Sequence, residues 1–364
     1  MPLAAPPDAL GLARDVPLAA LTTLELGGPA RWLLDLDHPD KLLPALSWAR
    51  SVGIRLLVLG GGSNVIAPDE GFDGLVIRVR TRGIQAERAG GRVRVEVAAG
   101  ESWDGLVAHA VEAGWVGLEC LSGIPGTAGA APIQNIGAYG AELAERLVGV
   151  HARARPDGQP VWLSRADLDL GYRTSALKRA PESFFVERVV LELELGAAPL
   201  LRYAELQRAV AERGLDAPTP SEVRTVVLGL RRAKSMLWSA ADPNRRSVGS
   251  FFTNPVVPSS AHEEVVRRAH ARGLVSGWAE VPAWPQPDGS VKLSAAWLIE
   301  RAGISKGLRR GAVGVSSRHT LALVHHGGGT SAALLALADE VRAAVRAAFG
   351  VELEREAVWL GSAT

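Results

Sequence analysis

Between Cys120 and Glu142 the chain reads CLSGIPGTAGAAPIQNIGAYGAE, a run of glycine and other small residues whose one charge is the final glutamate. No other stretch limits the fold as much. A linker would be polar and a core segment would carry bulk, so a stretch with neither implies a backbone held close against something large. A second glycine run, LGGGSN at Leu59–Asn64, follows the apolar stretch IRLLV. Alone it reads more readily as a tight strand-to-loop turn than as a cradle of backbone N–H groups for phosphate. Its spacing is neither G-x-G-x-x-G nor G-x-x-x-x-G-K-[ST], which excludes the Rossmann and P-loop readings. Taken with the 120–142 stretch, it favours pyrophosphate binding.

The rest of the composition narrows the class. The 364 residues are 47% hydrophobic and 22% charged, enough for two or three soluble domains. Forty Lys plus Arg against 39 Asp plus Glu leave a formal charge of +1, which argues against a general nucleic-acid or membrane-surface partner. The single cysteine, Cys120, excludes a disulfide framework and a thiol-ligated metal cluster, so no metal is expected. The N-terminal MPLAAPPDALGLARDVP lacks a basic region followed by an apolar one, and no apolar run is long enough to span a bilayer. These features point to a cytoplasmic protein without membrane insertion. Basic residues are nearly all arginine, and the lysines are Lys41, Lys178, Lys234, Lys292 and Lys306. The tyrosines are Tyr139, Tyr172 and Tyr203. In such a chain a retained lysine or tyrosine can mark a place needing a compact ammonium or a phenol.

Along the chain, helix and strand patterns alternate. Asp40–Gly53 has apolar residues at helical spacing and stops on glycine; LVIRVR and RVRVEVAAG alternate as half-buried strands; Ser102 is a plausible cap for the helix that follows. Strands are expected around VWLSRADLDL and FFVERVVLELEL, and a helix over SEVRTVVLGLRRAKSM. The Pro/Asn/Arg-rich SAADPNRRSVGS reads as a domain boundary. Beyond it come a strand SFFTNPVV, helices at AHEEVVRRAHARG and SAAWLIERAG, a strand TLALVHH, a helix from about Ser331 to Phe349, and an alternating tail VELEREAVWLG. HHGGGT (His325–Thr330) is not an esterase oxyanion loop, because no G-x-S-x-G elbow accompanies it. GYRTSALK reads either as a helix start capped by Thr174 or Ser175 or as a cationic pair for a carboxylate or phosphate. Ser250, in GSFFTNP, has no histidine beside it; it can be a turn hydroxyl, a nucleophile with a distant base, or a proton donor.

In order, LTTLELGGPA, LVLGGGSNV, LSGIPGTAGAAPIQNIGAYG, YRTSALK, GSFFTNP, PQPDGSVKLSAAWLIE and LEREAVWLG strongly resemble the MurB family, the UDP-N-acetylenolpyruvoylglucosamine reductases of peptidoglycan synthesis, from about Leu21 to Gly361. Tyr203 in LLRYAEL matches the members with a tyrosine loop. The resemblance implies an α+β chain: a two-subdomain FAD-binding fold of the PCMH or vanillyl-alcohol-oxidase type, then a smaller α+β substrate-binding domain. The implied division is residues 1–82 with 350–364, 83–235, and 236–349, the tail strand returning to the N-terminal subdomain.

The same resemblance implies NADPH as co-substrate, noncovalent FAD as hydride carrier, and a UDP-sugar enolpyruvate as substrate, and a monomer is expected. Arg173, Ser250 and Glu356 match the catalytic residues. Ser250 becomes a general acid, because a carbanion is basic enough to take a hydroxyl proton without a neighbouring histidine. Arg173 grips the carboxylate. Glu356, read from pattern alone as an exposed strand charge, is expected to carry a raised pKa and to donate from its protonated form. FAD is assigned to Gly61, Gly62, Ser63, Asn64, Ile124, Pro125 and Gly126, with Ile133 and Gly137 lining the site. Lys234 and Tyr203 match the diphosphate ligands, with Asn254 as a further contact; His319 stands where some members carry glutamine. Gln286 and Lys292 lie in a matched motif, and Tyr139 falls between flavin and substrate motifs. Two other readings remain: a flavin oxidase of the same fold acting on a sugar or aromatic alcohol, and a nucleotide-sugar-binding protein without flavin.

Overall fold

Leu42, Ala45, Trp48 and Ala49 fall on one stripe of the helix Leu42–Val52, and all four are buried. Gly53 ends that helix with φ 65°, a left-handed conformation glycine adopts without strain. The stripe packs on strands Pro29–Leu36, Arg55–Leu59 and Phe72–Val79, whose pairings are parallel; Ala13–Pro17 completes the sheet at one edge. Trp32 meets Trp48 edge-on at 5.6 Å. The computed structural model describes residues 7–155 and 157–361. Met1–Pro6, on which the expectation of no secretory leader partly rests, and Ser362–Thr364, the end of the expected tail range, lie outside the described residues.

The chain divides into two compact units. The first comprises residues 1–16, 29–62 and 72–237, the second 17–28, 63–71 and 238–364. Besides the parallel sheet, the first unit holds an antiparallel sheet in the order Pro160–Ser164, Leu147–Ala154, Phe184–Leu195, Arg92–Ala98, Ile84–Ala89, with Trp115–Val116 also on Phe184–Leu195. Val93, Val95 and Val97 alternate into its core, where they meet Trp103, Leu106 and Val107 of the helix Trp103–Glu112. Ser102 caps this helix, its hydroxyl accepting from the Gly105 N–H at 3.2 Å. A third cluster joins Cys120 and Tyr139 to the helices Ala204–Ala211 and Pro220–Ala233; the second starts on a Thr219–Glu222 capping box.

In the second unit, one small antiparallel sheet joins Val256–Val257, Val291–Leu293 and Ala283–Pro285, and another joins Arg309–Arg310, Val313–Val315 and Leu323–His325. Helices Ser259–Ala271, Ala295–Arg301 and Ser331–Phe349 contribute to one core with them. Leu334, Leu337, Ala338, Val341 and Val345 form the buried stripe of the last helix. Its first N–H groups, on Ser331 and Ala332, donate to the Asp69 carboxylate at 2.7 and 2.9 Å. The anion is well placed for the helix dipole too.

Several expected strands are shorter than their patterns; TLALVHH, for one, is a strand only over Leu323–His325. In SFFTNPVV only Val256–Val257 is a strand, with an isolated bridge between Phe252 and Arg355; in the tail only Val358–Trp359 is, paired in parallel with Val65–Ile66. Pro255, which has no N–H, separates the Phe252 bridge from the Val256 pairing, so the stretch changes partners there. The expected division sets the tail with residues 1–82, and its parallel partner Val65–Ile66 lies within them. In the compact units the tail goes with residues 17–28, 63–71 and the last third, because its partners are Val65–Ile66 and the Phe251–Thr253 backbone. The α+β class is as expected.

Candidate functional site

The two small-residue stretches meet in the first unit. A Cβ on Gly61 would lie 2.7 Å from the Gly126 Cα, and one on Gly60 would lie 2.7 Å from the Thr127 Oγ1. Neither position leaves room for a side chain. Gly62, Gly123 and Gly126 have φ of 65°, 70° and 117°, turning successive backbone groups in ways other residues resist. The loop is anchored at both ends: Trp103 N–H donates to the Gly126 carbonyl at 3.1 Å, Ala128 N–H to Glu101 at 2.8 Å, and Gly123 N–H to the Asp104 carboxylate at 2.6 Å. Arg224 holds that carboxylate from the other side, at 2.6 and 3.0 Å. Burial raises the Asp104 pKa, but the bonds from Arg224 and Gly123 outweigh it and keep the group below the usual carboxylate range. A backbone-lined cradle that any Cβ would fill suits a pyrophosphate and a flat ring, and the residues therefore fit FAD.

Arg173 sits beside the far end of the same stretch. Its Nη2 donates to the Gly137 carbonyl at 2.7 Å and its Nη1 to Asn135 at 3.3 Å. Its backbone is left-handed, φ 55°, and the Lys178 ammonium donates to its carbonyl at 2.9 Å. Asn135, buried and also left-handed at φ 44°, organises the turn. Its amide donates to Glu142 and to the Gly171 carbonyl, and its oxygen accepts from Ala144 N–H. Ser175 caps the short helix Ala176–Arg179 and donates to the Ile133 carbonyl at 2.6 Å. The capping reading of GYRTSALK holds at Ser175, while Arg173 and Lys178 donate to backbone carbonyls beside it.

Tyr139, Tyr203 and Lys234 also come together in this unit. The tyrosine rings meet edge-on at 5.8 Å, and the Lys234 ammonium lies 5.9 Å from the Tyr139 ring centre. Lys234 pairs with Glu205 at 2.6 Å. Burial pushes the Tyr139 hydroxyl up to about 12, and burial with the nearby Glu205 charge raises Tyr203.

In the second unit Ser250 and Glu356 lie on paired segments. Phe251 N–H donates to Leu321 at 2.7 Å, Glu356 N–H to Phe251 at 2.9 Å, and Thr253 N–H to Glu354 at 3.0 Å. Phe251 and Phe252, both fully buried, fasten the segment to the core. Asn64 latches the tail: its amide donates to the Glu356 carbonyl at 3.2 Å and its own carbonyl accepts from Val358 N–H at 3.0 Å. On the other side, Thr23 donates to the Ser247 carbonyl at 2.6 Å, and Glu25 pairs with both Arg245 and Arg246. Asn254 accepts from Ala295 N–H, and Lys292 stands opposite Val256 and Trp284 in the same small sheet. Gln286 lies in the hairpin loop at one end of that sheet, and His319 in the turn before Leu323–His325 of the other sheet.

Asn135, Glu205, Glu25 and Asp69 escaped the sequence reading. Asn135 had a local signal, an amide inside a charge-free stretch. The others act through partners far along the chain.

The FAD binding domain model matches residues 33–164, and the model of the UDP-N-acetylenolpyruvoylglucosamine reductase C-terminal domain matches 242–360. A UDP-N-acetylenolpyruvoylglucosamine reductase of Streptomyces coelicolor is 45% identical, covering 96% of this chain and 90% of its own. One of Saccharopolyspora erythraea is 46% identical over 94% of this chain and 93% of its own. The crystal structure of MurB from Thermus caldophilus aligns with a TM-score of 0.64 at 26% identity, covering 96% of this chain and 98% of that one. With these matches running through cradle, serine segment and tail, the chain belongs to the UDP-N-acetylenolpyruvoylglucosamine reductase family of FAD-binding oxidoreductases.

Proposed function

We propose that the chain reduces the enolpyruvyl ether of UDP-N-acetylglucosamine to UDP-N-acetylmuramate for peptidoglycan synthesis, with NADPH as electron source and noncovalent FAD as carrier. FAD, when bound, supplies the relay of a hydride equivalent from NADPH to the methylene carbon of the enolpyruvyl group. The adjacent carbon, which bears the carboxylate, must then gain a proton. Ser250 gives it from its hydroxyl and is reprotonated from water. Arg173 holds the carboxylate with charge-assisted hydrogen bonds while negative charge builds on its oxygens. Glu356 acts in its carboxylic-acid form, since an ionised group there would repel that charge.

The cradle residues Gly61, Gly62, Ser63, Asn64 and Ile124 to Gly126 hold FAD, with Ile133 and Gly137 beside it. Lys234, Tyr203, Tyr139 and Asn254 take the diphosphate, and Gln286, Lys292 and His319 supply polar contacts to the substrate. The two sheets of the first unit, each with its own core, support two flavin-binding subdomains, residues 1–82 and 83–235. UDP-sugars and NADPH are cytoplasmic metabolites, and the enzyme is placed there with them.

The observation that carries this reading is the ladder joining Phe251–Thr253 to Glu354–Glu356, which keeps Ser250 and Glu356 in adjacent segments behind the Asn64 latch. The test is the visible spectrum of the purified protein without air. Flavin bands should bleach with NADPH and return on adding the enolpyruvyl substrate. Protein that stays colourless after incubation with FAD, or bands that only another acceptor restores, would overturn it.

A further inference from the structure

We propose that Glu205 is a specificity-determining residue: a carboxylate that occupies the Lys234 ammonium until a diphosphate displaces it, and so excludes weaker anions from the site. The inference rests on the reading of Lys234, Tyr139 and Tyr203 as diphosphate ligands.

The placement is local and tight. Tyr203 is the residue that opens the helix Ala204–Ala211, and Glu205 lies in its first turn. Lys234 closes the helix Pro220–Ala233. Glu205 and Lys234 meet at 2.6 Å, with side chains 31% and 33% exposed, so both can be reached from solvent. The Tyr139 ring lies near the same ammonium and touches the Tyr203 ring. Any ligand that reaches both Tyr203 and Lys234 therefore meets Glu205.

A carboxylate in an anion site has a definite effect. It neutralises the lysine in the empty protein, so an inorganic phosphate or chloride ion must exchange one ion pair for another of similar strength. A diphosphate brings two charges and several acceptor oxygens, which can engage the ammonium and both phenol hydroxyls at once. The raised tyrosine pKa values keep those hydroxyls as donors across the working range. Once displaced, Glu205 faces a like charge and turns to water, which weakens binding and eases product release.

The experiment is calorimetric titration of the FAD-loaded protein with UDP and with inorganic phosphate, for wild type, Glu205→Gln and Lys234→Met. In Glu205→Gln, UDP should bind about tenfold tighter, phosphate should gain more than UDP, and the preference for UDP should narrow. Glu205→Ala, tested in parallel, removes the same charge and keeps the result readable if the amide disturbs the helix start. If the uncharged variants bind UDP equally or more weakly while Lys234→Met loses binding, Glu205 merely supports Lys234 and this inference falls alone. If Lys234→Met binds UDP as wild type does, the diphosphate assignment falls and takes this inference with it.

Discussion

The glycine cradle of the first unit and the serine segment of the second solve opposite problems. At Gly60–Gly62 and Gly123–Gly126 side chains are left out so that two stretches of backbone lie against each other, 2.7 Å from where a Gly61 Cβ would sit to the Gly126 Cα. At Phe251–Thr253 the backbone is consumed by pairing and two phenyl rings are sunk in the core, next to Ser250, the proposed proton donor. A cofactor site can be built from missing atoms. A proton donor cannot, and it needs a rigid segment to carry it.

If the contrast is right, substitutions in the two regions should fail differently. Gly61→Val should fail most broadly, because lost flavin removes both half-reactions at once. Its side chain meets backbone rather than a flexible chain end, and forcing it in costs about 1–3 kcal/mol, or about five- to 150-fold in FAD affinity. The check is the ratio of flavin to protein absorbance after purification, with the circular dichroism spectrum of wild type; normal flavin content would remove the cradle from the argument. Ser250→Ala should keep its flavin and its rate of flavin reduction by NADPH. Its turnover of the enolpyruvyl substrate should fall by about 10²–10⁴. Parallel losses in both half-reactions would mean that the segment supports the fold and not the proton transfer.

The smallest effect belongs to Asp104→Asn, which asks whether a side chain steadies the cradle loop. The folded pKa of Asp104 is lowered, so its charged form favours the folded state. That stability is fully present above the unfolded value of about 3.9 and is lost as pH falls through the lower, folded value. Because the pair with Arg224 is partly exposed and screened, the variant should lose only about 1 kcal/mol near pH 7, or about 2 °C in melting temperature. Melting curves from pH 7 to pH 3 should show the gap to wild type closing at the acid end. A gap that stays constant with pH would remove the charge from the explanation.

How far the sequence could be read follows the same division. The cradle was legible because missing bulk is a local property, visible in LGGGSN and in the 120–142 stretch. The cap at Ser102 and the helix from about Ser331 to Phe349 are local as well. The paired segments were not legible. Val358–Trp359 and Val256–Val257 are too short to carry a period, and what holds them comes from elsewhere: Asn64 bonds to Glu356 across 292 positions, and Asp69 caps Ser331 across 262. The left-handed turn at Arg173 has no signature in arginine itself; buried Asn135 and Lys178 brace it. Glu356 looks like a solvated strand charge until its backbone is found bonded to Phe251 and Asn64.

The Asp69 cap and the Asn64 latch also set a timetable for biosynthesis. Early segments leave the ribosome long before their partners: Asn64 bonds a residue 292 positions later and Asp69 one 262 positions later. At about 5–20 residues per second the early segments wait on the order of tens of seconds for them. Val65–Ile66 is meanwhile a strand edge without its mate. A nascent chain stalled before residue 331 would carry its flavin-binding sheets complete and its second core open, a form that a chaperone or a protease would recognise.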